Sequence, residues 1–208
     1  MQDGVLLRKF IIAETSIEIF FPDTSLVQTD YTTGVGNFIS PYWTKVWPAA
    51  TGLCYFLNDN FHYIKNKKVH ELAAGLGLPG IFSAKYANQV CISDIEKAAI
   101  ELVRQSVSHN NLTNVECDII DLNNFKDITV PEVVLLSDIN YEPAQFENLL
   151  NALHHFLNHQ CTIILSTPQR LIGREFINSL LTFCKEQAVI EVDYEGGIID
   201  VSIFVFKN

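Results

Sequence analysis

The stretch Val69-His70-Glu71-Leu72-Ala73-Ala74-Gly75-Leu76-Gly77-Leu78-Pro79-Gly80 decides how the chain is read. An apolar strand candidate runs into it, three glycines follow within six positions, and a helix-compatible stretch leaves it at Pro79. A strand that turns through glycines into a helix lets the backbone approach a ligand closely and offers free N–H groups at the helix start. Gly75, Gly77 and Gly80 satisfy G-x-G-x-x-G, and Asp94 lies 19 residues beyond Gly75, at the end of the next strand candidate. An acid there can accept both hydroxyls of a ribose.

Outward from this loop the pattern repeats as apolar strand, connection, amphipathic helix. Strands are expected at residues 68–72, 89–93, 115–119, 132–137 and 161–166, with helices at 79–87, 96–109, 143–157 and 170–187. Near-continuous apolar strands alternating with helices imply a doubly wound, mostly parallel α/β sheet covered on both faces. The end of the chain breaks the rhythm: residues 189–194 and 199–206 are strands joined at Glu195-Gly196-Gly197, a hairpin that makes the last strand antiparallel. The expected fold is therefore Rossmann-like, with seven strands. Before it, residues 6–12 and 16–21 form a hairpin around Glu14 and Thr15, and residues 22–40 form a loop or mobile cover. The expected division is an extension over residues 1–39 and a ligand-binding domain over 40–208.

The 208 residues carry 24 acids against 14 bases, a net charge of −10, with 48% apolar and 18% charged residues. Such a chain has ample core and is not disordered. The acid excess argues against nucleic acid and against an anionic membrane surface, both of which reward a Lys/Arg footprint. It suits a cationic cofactor or a basic partner. No apolar run reaches membrane-spanning length, and Arg8 and Lys9 interrupt the only N-terminal stretch that resembles a signal peptide. Five scattered cysteines without a C-x-x-C pair read as reduced core thiols, so the expected location is the cytoplasm. His154, His155 and His159 have no acid or cysteine at ligand spacing, and no metal site is expected.

Two features separate the nucleotide cofactors this loop can serve. Glu71 ends the strand just before the glycines, and a carboxylate there repels a pyrophosphate but suits a cofactor bearing an ammonium and a sulfonium. The closing hairpin is the second, because a dinucleotide fold does not need it. Both favour S-adenosylmethionine over a nicotinamide.

The stretch from Glu71 to Ile81 resembles the glycine-rich motif I of class I, seven-strand, S-adenosylmethionine-dependent methyltransferases. Pro41-Tyr-Trp-Thr-Lys-Val-Trp-Pro-Ala-Ala50, Ser93-Asp94 and Asp138-Ile-Asn-Tyr141 are similar to the protein-lysine methyltransferase group (methyltransferase family 16 type), over most of residues 40–208. The resemblance implies that Trp47 packs on the cofactor and that Ala73 to Gly77, with Glu71 before them, wrap its methionine part. It further implies that Asp94 binds the ribose, Asn123 lies beside the adenine, and Ser137 and Asp138 line the floor. Two positions depart from the group: Ala73 stands where motif I has its first glycine, and Leu122-Asn123 stands where a tryptophan meets the adenine.

Methyl transfer is an in-line displacement, so the protein must align the acceptor lone pair and exclude water. Asp138 and Tyr141, at the C-terminal end of the fourth strand of the parallel sheet, are the candidates for holding the acceptor amine. The expected function is N-methylation of a lysine in a protein substrate. A small-molecule N- or O-methyltransferase and a methyltransferase-fold binding module are the alternatives, and a nicotinamide oxidoreductase is the third class.

Overall fold

The computed structural model describes residues 4–23, 41–140, 142–169 and 173–208. Strands β1 (Val5–Ile12) and β2 (Thr15–Pro22) pair antiparallel with Ile12 opposite Thr15, so Ala13 and Glu14 make the turn and Thr15 belongs to the strand. Alternation along β2 sends Ile17, Ile19 and Phe21 inward, where they join the main buried cluster. The outer edge of β2 is closed by helix side chains rather than a third strand. Ser106 Oγ accepts the Phe20 N–H at 2.9 Å, and Asn110 both accepts from Glu18 N and donates to Glu18 O. An edge satisfied in this way is no template for further pairing.

Seven strands form the central sheet: β3 (Lys68–Glu71), β4 (Gln89–Asp94), β5 (Val115–Ile119), β6 (Val133–Ser137), β7 (Thr162–Pro168), β8 (Cys184–Tyr194) and β9 (Gly197–Phe206). Their order is β5-β4-β3-β6-β7-β9-β8, parallel from β5 to β7, with β9 inserted antiparallel to both neighbours. Helices α1 (Pro48–Asp59), α2 (Leu78–Ser83), α3 (Lys97–His109), α4 (Phe146–Asn158) and α5 (Arg174–Leu180) cover the two faces.

The run Val133-Val134-Leu135-Leu136 shows how the layers are built. Val133 and Leu135 face the cluster made with α1, α2, α3 and the N-terminal hairpin, while Val134 and Leu136 face α4 and α5. A strand buried on both sides needs no polar alternation, which is why β6 reads as a continuous apolar run. The direction in which the sheet is wound reverses between β3 and β6, since β3 leads outward to β4 while β6, parallel to it, leads the other way to β7. Open parallel sheets bind ligands at such a switch point, outside the carboxyl ends of the strands.

The helix expected over residues 170–187 is shorter. Within the described residues it spans Arg174–Leu180, a single 3₁₀ turn follows at Leu181–Phe183, and β8 starts at Cys184. Ala188, Ile190 and Val192 alternate inward and pair with β9, so ladder formation overrides the helical propensity of Lys185, Glu186 and Gln187. Among the described residues no helix is long and apolar enough to cross a membrane.

Candidate active site

A cavity of about 680 Å³ opens over the carboxyl ends of β3, β4 and β6, walled by residues 41–50, the glycine loop, the end of β5 and the start of α4. It has the size of a cofactor site. Trp47, Ala73, Gly75, Gly77, Asp94, Asn123, Ser137 and Asp138 all line it. Glu71 does not. Tyr141 lies outside the described residues.

The glycine loop is held at both ends by carboxyl groups. Asp94 Oδ2 accepts the Gly75 N–H at 2.7 Å and its Oδ1 accepts Glu96 N–H at 2.9 Å, so the carboxylate is tied down at the rim of β4. Glu71 Oε2 accepts the Gly80 N–H at 2.7 Å from beneath the loop. Ala73, Gly75 and Gly77 have positive φ of 50°, 55° and 72°, and a Cβ on Gly77 would stand 3.0 Å from Ile92 Cγ2. The loop therefore lies directly on β4. Gly80 is tighter still: a Cβ would meet Ile92 Cγ1 at 2.6 Å and Glu71 Oε2 at 2.7 Å.

Glu71 is fully buried, and among the described residues its Oε1 has no hydrogen-bond partner. Burial pushes its pKa up to about 8, the Gly80 N–H pulls the other way, and the charge of Asp94 adds to the rise. Its neighbour His70 is held neutral by the same cause, with burial lowering its pKa to about 4 against the opposing charge of Asp118. The His70 ring shares a 2.8 Å hydrogen bond with Ser93 Oγ, a structural pairing at the back of the cavity wall.

The opposite wall is aromatic. Trp47 Nε1 donates to Tyr42 O at 2.8 Å, the two rings lie 6.3 Å apart, and the Trp43 backbone passes within 3.6 Å of where a Gly75 Cβ would be. This segment closes over the loop. At the third wall Asp121 Oδ1 accepts the Asn123 N–H, and Asn123 Oδ1 accepts from Asn148 Nδ2 at 3.1 Å. Asn148, on the first turns of α4, went unnoticed in the sequence because a lone polar residue on a helix carries no signal until tertiary packing brings it to a wall. Ile95, 60% exposed beside Asp94, is a second such case. Asp138 adopts φ of 55°, an unusual conformation for a non-glycine, with its N–H on Ser166 O at 2.8 Å. The residue thereby lines the cavity beside Ser137.

The lining is acidic. Among the described residues Asp94, Glu96, Asp121 and Asp138 face it against the single cation Lys45, whose Nζ lies 5.9 Å from the Trp47 ring. That balance suits a cationic ligand and disfavours a pyrophosphate. Backbone amides at positive φ, a ribose-competent carboxylate and an aromatic cover together fit S-adenosylmethionine.

The sheet order and the place of this site are those of the class I methyltransferase fold. In fold the chain is similar to precorrin 8W decarboxylase from Methanobacterium thermoautotrophicum (TM-score 0.60, 14% identity, 82% of this chain and 97% of that one). It is also similar to the N-methyltransferase NodS from Bradyrhizobium japonicum (TM-score 0.53, 11% identity, 69% and 80%). Residues 35–183 match the profile of the family described as lysine methyltransferase, and the chain belongs to that family. It is 32% identical over 158 residues to the protein N-lysine methyltransferase METTL21A of Danio rerio (73% of this chain, 71% of that protein). To the human histone-arginine methyltransferase METTL23 it is 32% identical over 123 residues (55% and 63%). The chain spans about half to two thirds of the length of the first curated relatives it matches.

Proposed function

We propose that the protein transfers a methyl group from S-adenosylmethionine to the side-chain nitrogen of a lysine in a protein substrate. The acidic lining of the cavity carries this reading, because it matches a cofactor with two positive centres and an acceptor that arrives as an ammonium. The family profile and METTL21A of Danio rerio support lysine as the acceptor.

When bound, the cofactor supplies an electrophilic methyl group. The protein's part is to bind, orient and dry the site. In this reading Asp94 takes the ribose hydroxyls, Ala73, Gly75 and Gly77 present backbone to the methionine part, and Trp47 covers it. Asn123 and Ile95 flank the adenine, while Ser137 closes the floor. Glu71 acts from beneath by holding the loop. Asp138 accepts a hydrogen bond from the entering amine, and Tyr141, which lies outside the described residues, stays the second acceptor-side candidate; loss of water and a nearby positive charge lower the amine's pKa and free its lone pair. Residues 40–208 act as the catalytic unit with 1–39 as an extension, and the five free cysteines fit a cytoplasmic location.

The test is twofold. Purified protein should show a saturable thermal shift with S-adenosylhomocysteine that Asp94→Ala removes. Labelled S-adenosylmethionine added to undermethylated lysate should mark a protein whose modified residue mass spectrometry identifies as lysine. Labelled arginine would move the reading towards the arginine-modifying relatives, and no thermal shift at millimolar ligand would end it.

A further inference from the structure

A second depression, about 300 Å³, lies on the other side of the β6 carboxyl end, between β7, β9 and α5. Asn140, two residues after Asp138, forms its inner wall, with Thr167, Asn178, Ser202 and Arg174 around it. Asn140 is 3% exposed, and among the described residues its side-chain Oδ1 has no hydrogen-bond partner. Its Nδ2 sits against the backbone of Gly173, where a Cβ would approach to 2.4 Å. An unpartnered buried amide oxygen has lost its water without gaining a partner, and a donor brought in by a ligand relieves that cost.

The sheet face that leads away from this groove is acidic. Ser202 and Phe204 line the groove, and by strand alternation Asp200 continues the same face one step out. Asp200 stands directly opposite Glu191, and Asp193 opposite Ile198, in the β8–β9 register. Helix α5 has only seven residues and leaves this end of the hairpin uncovered: Glu191, Asp193 and Asp200 are exposed, as are Val189 at 57% and Ile198 at 70%. Like charges directly across an antiparallel pair weaken it, and among the described residues no ion pair compensates either carboxylate. The hairpin carries this repulsion beside a groove that opens next to the acceptor side of the active site.

We propose that this groove seats the substrate segment flanking the acceptor residue, with Asn140 accepting a hydrogen bond from its N–H and Glu191, Asp193 and Asp200 selecting basic side chains. The occupant is a basic, extended stretch of protein. Arg174, the one cation among the described lining residues, lies on the helix wall, where its donors suit a peptide carbonyl. The inference rests on the reading of the protein as a protein-lysine methyltransferase, and its test separates the two.

The probe is a fluorescent peptide of about twelve residues, one lysine flanked by arginines, measured by anisotropy with the protein and S-adenosylhomocysteine; a matched peptide carries glutamates instead. The basic peptide should bind more tightly, and its affinity should fall with salt. Glu191→Lys with Asp200→Lys, both exposed, should weaken it about tenfold or more while S-adenosylhomocysteine affinity stays within about twofold. Asn140→Leu should weaken it about fivefold with an unchanged or raised melting temperature, because an apolar residue removes the unpartnered oxygen without a new one. Equal binding of both peptides, or wild-type affinity in the double variant, overturns the groove assignment, as does methyl transfer to the basic peptide that is indifferent to that variant. If the variants act on binding as expected but neither peptide nor lysate protein is methylated, the groove stands and the catalytic reading fails.

Discussion

Replacing Glu71 with glutamine tests the state of the carboxyl beneath the glycine loop. Burial raises its pKa from the ordinary 4.5 to about 8, so the folded protein holds a proton that the unfolded chain releases. A group of this kind contributes stability that is complete below pH 4.5 and is lost as pH rises through about 8. At ~1.4 kcal/mol per pH unit, the full effect is on the order of 5 kcal/mol, and a third of it still exceeds 1 kcal/mol. For a chain of this size each kcal/mol moves the melting temperature by about 2–4 °C. Glu71→Gln keeps an oxygen for the Gly80 N–H and has no proton to lose. Between pH 5 and 8 the wild-type melting temperature should therefore fall by about 3–10 °C more than that of the variant. His70 works in the opposite sense: its lowered value of about 4 gives stability present above 6.5 and lost as pH falls through 4, so the wild-type curve is flattened at its acid end. Comparison with the variant isolates Glu71, since His70 is common to both. The assay is thermal unfolding by circular dichroism from pH 4 to 9 without ligand. Parallel curves for the two proteins would refute the protonated, buried carboxyl.

Three further outcomes follow from the geometry. Gly80→Ala puts a methyl 2.6 Å from Ile92 Cγ1 and 2.7 Å from Glu71 Oε2, which should cost about 2–4 kcal/mol in denaturant unfolding and weaken S-adenosylhomocysteine binding with it. Ile19→Ala empties a fully buried site of the N-terminal hairpin and should cost about 2–5 kcal/mol, with cofactor affinity at the remaining folded protein unchanged by calorimetry. Ala73→Gly relieves a non-glycine residue at φ of 50° on the cavity wall; the gain of about 1 kcal/mol is offset by the freer unfolded chain, so stability should move little while S-adenosylhomocysteine affinity rises. A fall in affinity on that change would show that the methyl makes a useful contact.

How far the sequence foretells this site depends on whether a residue's direction is set locally. The turn from β3 into α2 is local: glycine spacing and a following proline define it, and Gly75, Gly77 and Asp94 stand where the spacing puts them. The apolar runs of β6 and β7 are equally plain, because burial on both faces removes any need for alternation. Glu71 is different. A carboxyl at a strand end points to the ligand or to the helix layer according to which face the helices cover, and here it points beneath the loop. Asn140 and Asn148 gain their places only when α5 and α4 dock, and the start of β8 was hidden because its ladder partner, β9, comes later in the chain.

The two carboxyls that hold the loop divide the work between them by their charge. Asp94 accepts the Gly75 N–H and, with its other oxygen, that of Glu96, while Glu71 accepts the Gly80 N–H, and each sits at the end of a neighbouring parallel strand. Two ionised groups so close would raise the energy of an unoccupied site and weaken the loop's anchor. Burial resolves this by keeping Glu71 neutral near pH 7, where it serves as a fixed acceptor without adding to the negative potential. The charge is then left on Asp94 and its neighbours at the rim, which line the cavity. A fully ionised pair would bind such a ligand more strongly but would leave a buried charge uncompensated after product departs. The arrangement confines the negative charge to the wall that faces the cavity.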